Sequence, residues 1–505
     1  MTFFETALLY TAVVLMVQWM YQIWDQTTRH LAPGPMEFPI IGNLWQAWKA
    51  DPKYHHKALY KLSKVYGNVM TLKLGMVNEV AINGYDAIKS VLNNDEFLNR
   101  MDADWLLHKS FGKKIGLVSG SADYWKPTRR FTMFHLREFG FGKRYFQQSF
   151  LDTEIDEISK IFDQAIAQND GRIQPNKLFG IPTVNVVWAS VANSRFDYDD
   201  VRITKLVHLM SEWSSNAKLF EGIPSAFPVL LKWFPQIFST ENLQKIDFEM
   251  QGFLRSLINE IRDQGTFQME PKSFIESFLQ NMESDSSKKR EFQHVLTEEN
   301  LISILYDLFL GGSQTTSATM SFALLWLAMY PEIQERIRNE LTAVIGNDRR
   351  ATLEDKSRLP YTRAFILELH RTSCIVPLMP RKVFKDTKFE KFVIPANTLV
   401  MLNPYSILMD EEFWGDPENF RPSRFLDQNN NIINSDRVMT FGGGRRNCVG
   451  ETIAEGTIFA FVTHLVQKYQ FLPAQLGQKF DTSSIVGISS SPHLYTIQVA
   501  KRDVY

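Results

Sequence analysis

The residues best placed to do chemistry lie near the C-terminus. There Phe441-Gly-Gly-Gly-Arg-Arg-Asn-Cys448-Val-Gly450 sets one cysteine among glycines and arginines, just ahead of an apolar helical stretch. Such a run suits a thiolate presented to haem iron, because a deprotonated sulfur needs cations, backbone N–H donors and a helix N-terminus to hold its charge. Gly442, Gly443, Gly444 and Gly450 allow tight turns and close approach to a flat macrocycle, while Arg446 can meet a propionate. A lone cysteine is more often buried and inert. Here Phe441, Gly444, Arg446, Cys448 and Gly450 coincide at fixed spacing, which overturns that reading.

Those positions match F-x-x-G-x-R-x-C-x-G, and on them the chain resembles the cytochrome P450 family of haem-thiolate monooxygenases. The resemblance implies a mainly α fold with a small β region, haem b with Cys448 as its axial iron ligand, and dioxygen as co-substrate. It also implies electrons from NADPH-cytochrome P450 reductase, which carries FMN and FAD, with cytochrome b5 as an optional donor.

Further segments carry the same likeness. Gly311-Gly-Ser-Gln-Thr-Thr316 places two glycines inside a helical stretch, at a cost of about 1 kcal/mol each relative to alanine. Either space beside a cofactor or close packing against another helix must account for them. The stretch resembles the family's A/G-G-x-D/E-T-T/S element, which implies that the Thr315 hydroxyl lies over the distal haem face and steers a proton to dioxygen. The departure is Gln314, where an acid is usual. An amide donates and accepts hydrogen bonds but exchanges no proton at neutral pH, so a relay here leans on Thr315, Thr316 and water.

Glu368-Leu-His-Arg371 matches E-x-x-R, and its i, i+3 spacing sets acid and base on one helix face. The resemblance buries this pair with Arg424 as a structural triad, Ser423 replacing a commoner glutamate. Trp125-Lys-Pro-Thr-Arg129 matches W-x-x-x-R, whose tryptophan and arginine reach a haem propionate. By the same resemblance Arg381, Arg446 and Arg100 serve those carboxylates. Between Lys126 and Arg144, Arg130, Arg137 and Lys143 stand against one acid, Glu138, a basic patch that attracts an acidic electron donor.

Elements must position these groups. The longest helical signal starts at Thr297, a cap followed by Glu298 and Glu299, and runs to Tyr330, where Pro331 can begin the next helix. Val69 to Leu74 and Glu79 to Ile82 flank Gly75, and Phe392 to Ile394 with Leu399 to Leu402 flank a Pro395-Ala-Asn turn, which together predict a small sheet. Thr6 to Trp24 carries no charged side chain and predicts an uncleaved membrane-spanning anchor. The organisation is then an anchor over 1–25, a proline-rich hinge over 26–43 around Pro33-Gly34-Pro35, and a haem-binding catalytic domain over 44–505. The basic run 285–291 reads as a solvated connection.

Composition excludes several classes. A formal net charge of -1 over 505 residues gives no case for nucleic acid, and two cysteines, Cys374 and Cys448, cannot form a disulfide framework. The resemblance places the catalytic body on the cytosolic side of the endoplasmic reticulum membrane. It puts residues near Met101 to Leu107, Leu308, Val376 to Met379 and Ile488 around a lipophilic substrate, with the apolar segment 223–238 either at a channel mouth or in the core. The Asp307-Leu-Phe element and the turn Gly487 to Pro492 resemble the animal microsomal members, and Gln314 leans towards insect enzymes that oxidise terpenoid or steroid hormones. Two other readings stay open at this point: a haem-thiolate isomerase or dehydratase needing no reductase, and a haem-bound carrier or sensor of lipophilic ligands.

Overall fold

One helix, Glu298–Met329, runs through the middle of the molecule, and the rest of the chain is arranged along it. The side-chain oxygen of Thr297 accepts the Asn300 N–H at 3.2 Å, and Glu298 and Glu299 sit in the positive first turn. Pro331 cannot continue the ladder and instead opens the next helix, Pro331–Ile345. With 32 residues, this central helix is about 48 Å long. The protein is described as a computed structural model over residues 3–217, 225–234, 240–284 and 292–502. The basic connection expected at 285–291 and parts of the apolar segment 223–238 lie outside the described residues.

Two apolar cores share the central helix. Its N-terminal half, through Leu301, Leu305 and Phe309, packs with the helices Gly180–Ala192, Val201–Asn216 and Thr240–Gln264. Its C-terminal half, from Met320 to Ala328, packs with Pro360–Ser373 and Glu451–Lys468. Residues 311–317 carry no large apolar side chain and lie between the two cores, yet Gly312 packs against Val187 and Ser313 and Thr316 are buried.

A four-stranded sheet lies beside this helical body. Val69–Leu74 and Val77–Ile82 pair antiparallel, with Val69 opposite Ile82. Leu399–Leu402 runs parallel to the second strand, and Met379–Lys382 closes the far edge, antiparallel to Leu399–Leu402. The two segments flanking the Pro395 turn are strands, but they do not pair with each other: Phe392–Ile394 pairs with Thr387–Phe389. Pro380 explains why Met379–Lys382 is an edge strand, since proline offers no N–H to a further neighbour.

The segment expected to span a membrane lies in a 26-residue helix, Phe3–Thr28. Among the described residues, however, no helix is long and apolar enough to cross a membrane. Gln18, Gln22 and Asp25 break the apolar run. The following hinge is strapped to the body: Thr71 N–H donates to the Pro33 carbonyl at 2.8 Å, and Val393 N–H to that of His30 at 2.9 Å.

A buried carboxylate ties the helices Val201–Asn216 and Thr240–Gln264 to the central one. Asp247 Oδ1 accepts both the Trp213 indole N–H at 3.0 Å and the Tyr306 hydroxyl at 2.7 Å, while Oδ2 has no partner among the described residues. Burial pushes this carboxyl up to about 6, outweighing the lowering from Tyr306, Lys109 and Trp213. A carboxyl raised in the fold costs stability wherever the unfolded chain is already ionised. Asp247→Asn, which keeps an oxygen for both donors, is therefore expected to raise Tm at neutral pH. That gain should shrink as pH falls through about 6 and vanish below the ordinary value of 3.8, as thermal unfolding across pH would show.

Candidate functional site

The cysteine loop is built by backbone constraints. Cys448 N–H donates to the Phe441 carbonyl at 2.9 Å, closing the loop on itself. Gly444 has φ of +63°, and a Cβ there would stand 1.8 Å from the Leu92 carbonyl oxygen, so no side chain fits. Gly450 caps the helix Glu451–Lys468, which turns the N–H groups of Gly450 and Glu451 back onto the sulfur. Cys448 is reachable by solvent through a cavity of about 770 Å³, lined also by Trp125, Arg129 and Asn447, yet protein walls it on most sides.

That enclosure decides the protonation state. Burial pushes the Cys448 thiol above its ordinary value and the Glu451 carboxylate adds to the rise, against lowering from the Gly450 N–H, Arg129 and the Glu451 N–H. The Gly450 and Glu451 N–H groups and Arg129 expected to favour the thiolate all lower the value, and a cation bound at sulfur would supply the remaining balance, releasing a proton as it binds.

Above the loop lies a cluster of guanidiniums. Arg446 donates from Nε to the Leu98 carbonyl at 2.9 Å, and from its terminal nitrogens to Leu117 at 3.3 Å and Gly120 at 2.7 Å, with its plane 4.0 Å over the buried Trp125 ring. Arg381 and Arg100 both donate to the Pro380 carbonyl, at 3.0 and 3.5 Å, and Arg100 Nε has no partner among the described residues. Burial, then repulsion from neighbouring guanidiniums, lowers the pKa of Arg381 and of Arg446; at Arg100 burial outweighs the raising effect of the Asp307 carboxylate, which also acts on Arg446, and Arg129 adds to the fall. Among the described residues none of the three forms an ion pair with a carboxylate. Buried cations without anions call for an anionic ligand. Together with an accessible sulfur, they fit a haem bearing two propionates. Arg129 grips Asn447, donating to its carbonyl at 2.8 Å and its side-chain oxygen at 2.6 Å, and so braces the residue before Cys448. Asn447 carried no signal in the sequence.

On the central helix, both explanations of the glycine pair hold, one at each residue. A Cβ on Gly312 would lie 2.5 Å from Val187 Cγ2, whereas one on Gly311 would meet nothing within 4 Å. Thr315 shares the open face, and its hydroxyl donates to the Gly311 carbonyl at 2.6 Å. Gln314 and Thr316 lie about 100° to either side around the helix, Gln314 half-buried and Thr316 buried.

The helix behind the cysteine loop is locked by charge. Glu368 takes Arg371 bidentately, at 2.7 and 2.9 Å, and also accepts Arg424 Nε at 3.0 Å and the Arg421 N–H at 2.7 Å, all three side chains being buried. Ser423 takes no part. Between the paired residues, the His370 ring packs edge-on against Phe441 at 5.4 Å, linking this lock to the loop.

A family model described as Cytochrome P450 matches residues 32–499. The chain is similar to cytochrome P450 2J5 of Mus musculus, at 34% identity over 98% of this chain and 97% of the relative. It is also similar to a farnesoate epoxidase of Bombyx mori, at 33% over 94% of each, and to cytochrome P450 2C8 of Homo sapiens, at 32% over 97% and 98%.

The glycine pair separates by mutation. Gly311→Ala is expected to leave thermal stability level or raise it by about 1 kcal/mol, the helix-propensity gain. Gly312→Ala is expected to lower it by about 1–3 kcal/mol, because Val187 must move. Equal Tm values for the two variants would remove the packing role of Gly312.

Proposed function

The chain belongs to the cytochrome P450 family, haem-thiolate monooxygenases, and from that premise we propose that it oxidises a lipophilic terpenoid at a membrane surface, with Cys448 as the iron ligand. The observations that support this reading are the accessible Cys448 sulfur and three guanidiniums, Arg100, Arg381 and Arg446, that are desolvated without a directly paired carboxylate among the described residues. When bound, haem supplies the redox-active iron at which one oxygen atom of O₂ enters the substrate and the other leaves as water, using two electrons from NADPH.

The protein's own groups divide the remaining work. Arg446 has five N–H groups and spends three on carbonyls, which leaves two for a propionate; Arg381, Arg100, Trp125 and Arg129 complete that end of the site. Phe441 supplies the carbonyl that fixes the Cys448 backbone. Thr315 Oγ1, held by the Gly311 carbonyl, can swing to give its proton to the open face and recover one from water. Gln314 orders that water by hydrogen bonding and exchanges no proton, while Thr316, buried, supports the helix.

Substrate access follows from apolar surface. Leu308, Ile488, Val376 and Met379, which the family resemblance assigns to the substrate side, are apolar and packed in the hydrophobic clusters, and one relative is named for farnesoate, a branched isoprenoid that suits such walls. Ile40, Trp45, Trp48, Met76, Trp233 and Phe234 are exposed on adjoining segments, linked by hydrogen bonds from Gly75 N–H to Ile41 and Met76 N–H to Ala226. Leu9, Val13, Met16, Val17 and Met20 are likewise uncovered on the helix Phe3–Thr28. Both surfaces suit a lipid interface, and we assign the protein to the endoplasmic reticulum membrane with its body in the cytosol. Lys126, Arg130, Arg137, Lys143 and Arg445 surround the cavity over Cys448, a basic face for the acidic surface of NADPH-cytochrome P450 reductase, with cytochrome b5 as a second donor.

The direct test incubates the protein with reductase, NADPH and farnesoate, other terpenoids, steroids and fatty acids, and reads oxygenated products by mass spectrometry; absence of any product refutes the reading. Cys448→Ala should lose the long-wavelength Soret band of the ferrous carbon monoxide complex. Thr315→Ala should keep that band, lose product on the order of a hundredfold, and divert NADPH into hydrogen peroxide.

A further inference from the structure

The helices Val201–Asn216 and Thr240–Gln264 roof the N-terminal half of the central helix, and the second is fastened differently at its two ends. At the far end Arg255 and Arg262 each meet the Glu298 carboxylate at 3.1 Å, in partly exposed pairs on the first turn of the central helix. Near the other end the fastening is buried. Asp247 takes the Tyr306 hydroxyl from the central helix and the Trp213 indole from the last turn of Val201–Asn216, and none of the three residues is more than 2% exposed. Both donors reach the same oxygen. The second meets no donor among the described residues, and the ammonium of Lys109, whose charge reaches the site, is already paired with Asp307. Asp247 is thus a carboxylate with two hydrogen bonds and no counter-ion, kept dry only while both roof helices lie on the central one.

The ends of the roof near Asp247 rest on backbone seats. Next to Trp213, the Ser214 carbonyl oxygen would stand 2.3 Å from a Cβ on Gly487, in the turn that carries Ile488. Further along, the Ala226 carbonyl accepts the Met76 N–H at 2.8 Å and would stand 2.7 Å from a Cβ on Gly75. Each is a carbonyl resting against a glycine, a seat that can be left and retaken without breaking an ion pair. Arg255 lies about 12 Å along its helix from Asp247 and Arg262 about 22 Å. The Glu298 pairs are therefore placed as a pivot, and Asp247 stands where the roof lifts.

We propose that Asp247 is the latch of this roof: closing the two helices on the central one takes its carboxylate out of water and opening returns it, so proton uptake fastens the chamber and proton release frees it. Naming the space beneath a substrate chamber rests on the function proposed above; the latch itself does not. The titratable groups that face Asp247 are Tyr306 and Lys109, and Val201–Asn216 contributes the uncharged indole of Trp213. Burial and the Asp247 charge raise the Tyr306 phenol, which stays a donor throughout. Burial raises the closed-state carboxyl to about 6, against the ordinary value of 3.8. Closure therefore takes up a proton: the closed roof is most favoured below 3.8, loses that advantage as pH rises to about 6, and changes little above. With these values the opening constant rises roughly tenfold between pH 5 and pH 7. Neutral pH is the condition in which the roof lifts most readily. An amide at 247 would accept both donors with nothing to ionise, leaving the roof fastened at every pH.

The test uses the full-length holoenzyme and its Asp247→Asn and Tyr306→Phe variants, each first checked for the ferrous carbon monoxide Soret band. Amide hydrogen exchange is followed across pH in residues 209–216 and 243–250, with the intrinsic pH dependence divided out and the helix Glu451–Lys468 as internal reference. In parallel, stopped flow reads how fast farnesol, a neutral isoprenoid alcohol, perturbs the Soret band. In the wild type, exchange in both roof segments and the rate of farnesol uptake should rise roughly tenfold from pH 5 to pH 7 while the reference stays level. Asp247→Asn should hold both at the slow acidic value throughout. Tyr306→Phe removes a donor that lowers the Asp247 value, so it should move the midpoint to higher pH, a shift that a purely structural Tyr306 would not produce. That variant decides the matter if Asp247→Asn fails to fold. A level wild-type profile overturns the proposal, as does a profile that persists in Asp247→Asn, an unmoved midpoint in Tyr306→Phe, or faster exchange without faster uptake. If farnesol leaves the band unchanged at every pH, the terpenoid reading fails alone, and exchange decides the latch.

Discussion

Three guanidiniums buried without a carboxylate are the constraint around which this site is arranged. Arg100 and Arg381 come from distant parts of the chain and meet at one carbonyl, that of Pro380, while Arg446 gathers three carbonyls of the 98–120 region. Carbonyl dipoles offset part of the cost of burying a cation, but an unpaired charge in such a place still costs several kcal/mol. A protein keeps that arrangement where a ligand brings the missing charge. The two carboxylates of haem are such a ligand, so binding and completion of the fold become one event. The cysteine answers the same logic with opposite sign: burial disfavours its thiolate, and a metal cation at the sulfur stabilises it.

Rigidity is distributed to match. Behind the cysteine loop, Glu368 satisfies two arginines and a backbone N–H in full burial, an arrangement that is costly to break by removing one partner. The two apolar cores flank the 311–317 stretch, where the central helix stays packed at Gly312 and is open at Gly311. A fixed ligand loop and a roomy opposite face are what a reaction on a large apolar substrate requires. The cofactor must not move, and the substrate must enter.

How much of this could be read from residues alone depended on whether the signal was local. The central helix was legible almost to the residue, because Thr297, Glu298, Glu299 and Pro331 act on the backbone within one turn. The cysteine loop was legible for the same reason: glycines forced by φ and by close approach leave a fixed spacing. Pairings set by tertiary packing were not. Leu399–Leu402 was expected in a small sheet, but its interior place between Val77–Ile82 and Met379–Lys382 could not be read locally, nor could the grip of Arg129 on Asn447. The glycine pair posed a choice that only geometry could divide, one residue for packing and one for space. Lys109 gave no hint, since nothing in its sequence neighbourhood shows that a loop and a helix almost 200 residues apart share a buried ion pair.

The central helix acts as a ruler. Its 3.6-residue period lines Asp307, Gly311 and Thr315 on one face, so a buried carboxylate, an opening and a hydroxyl fall at successive turns with no loop between them to blur the spacing. The helix is pinned at one end by the Thr297 cap and at the other by the Pro331 turn, and each half is embedded in its own core. Substitutions in the apolar lining can therefore change which substrate is held while the distance between carboxylate and hydroxyl stays constant, because that distance belongs to the backbone. On the function proposed above, specificity at Leu308 or Ile488 varies independently of the hydroxyl at Thr315, which separates the two problems a monooxygenase must solve.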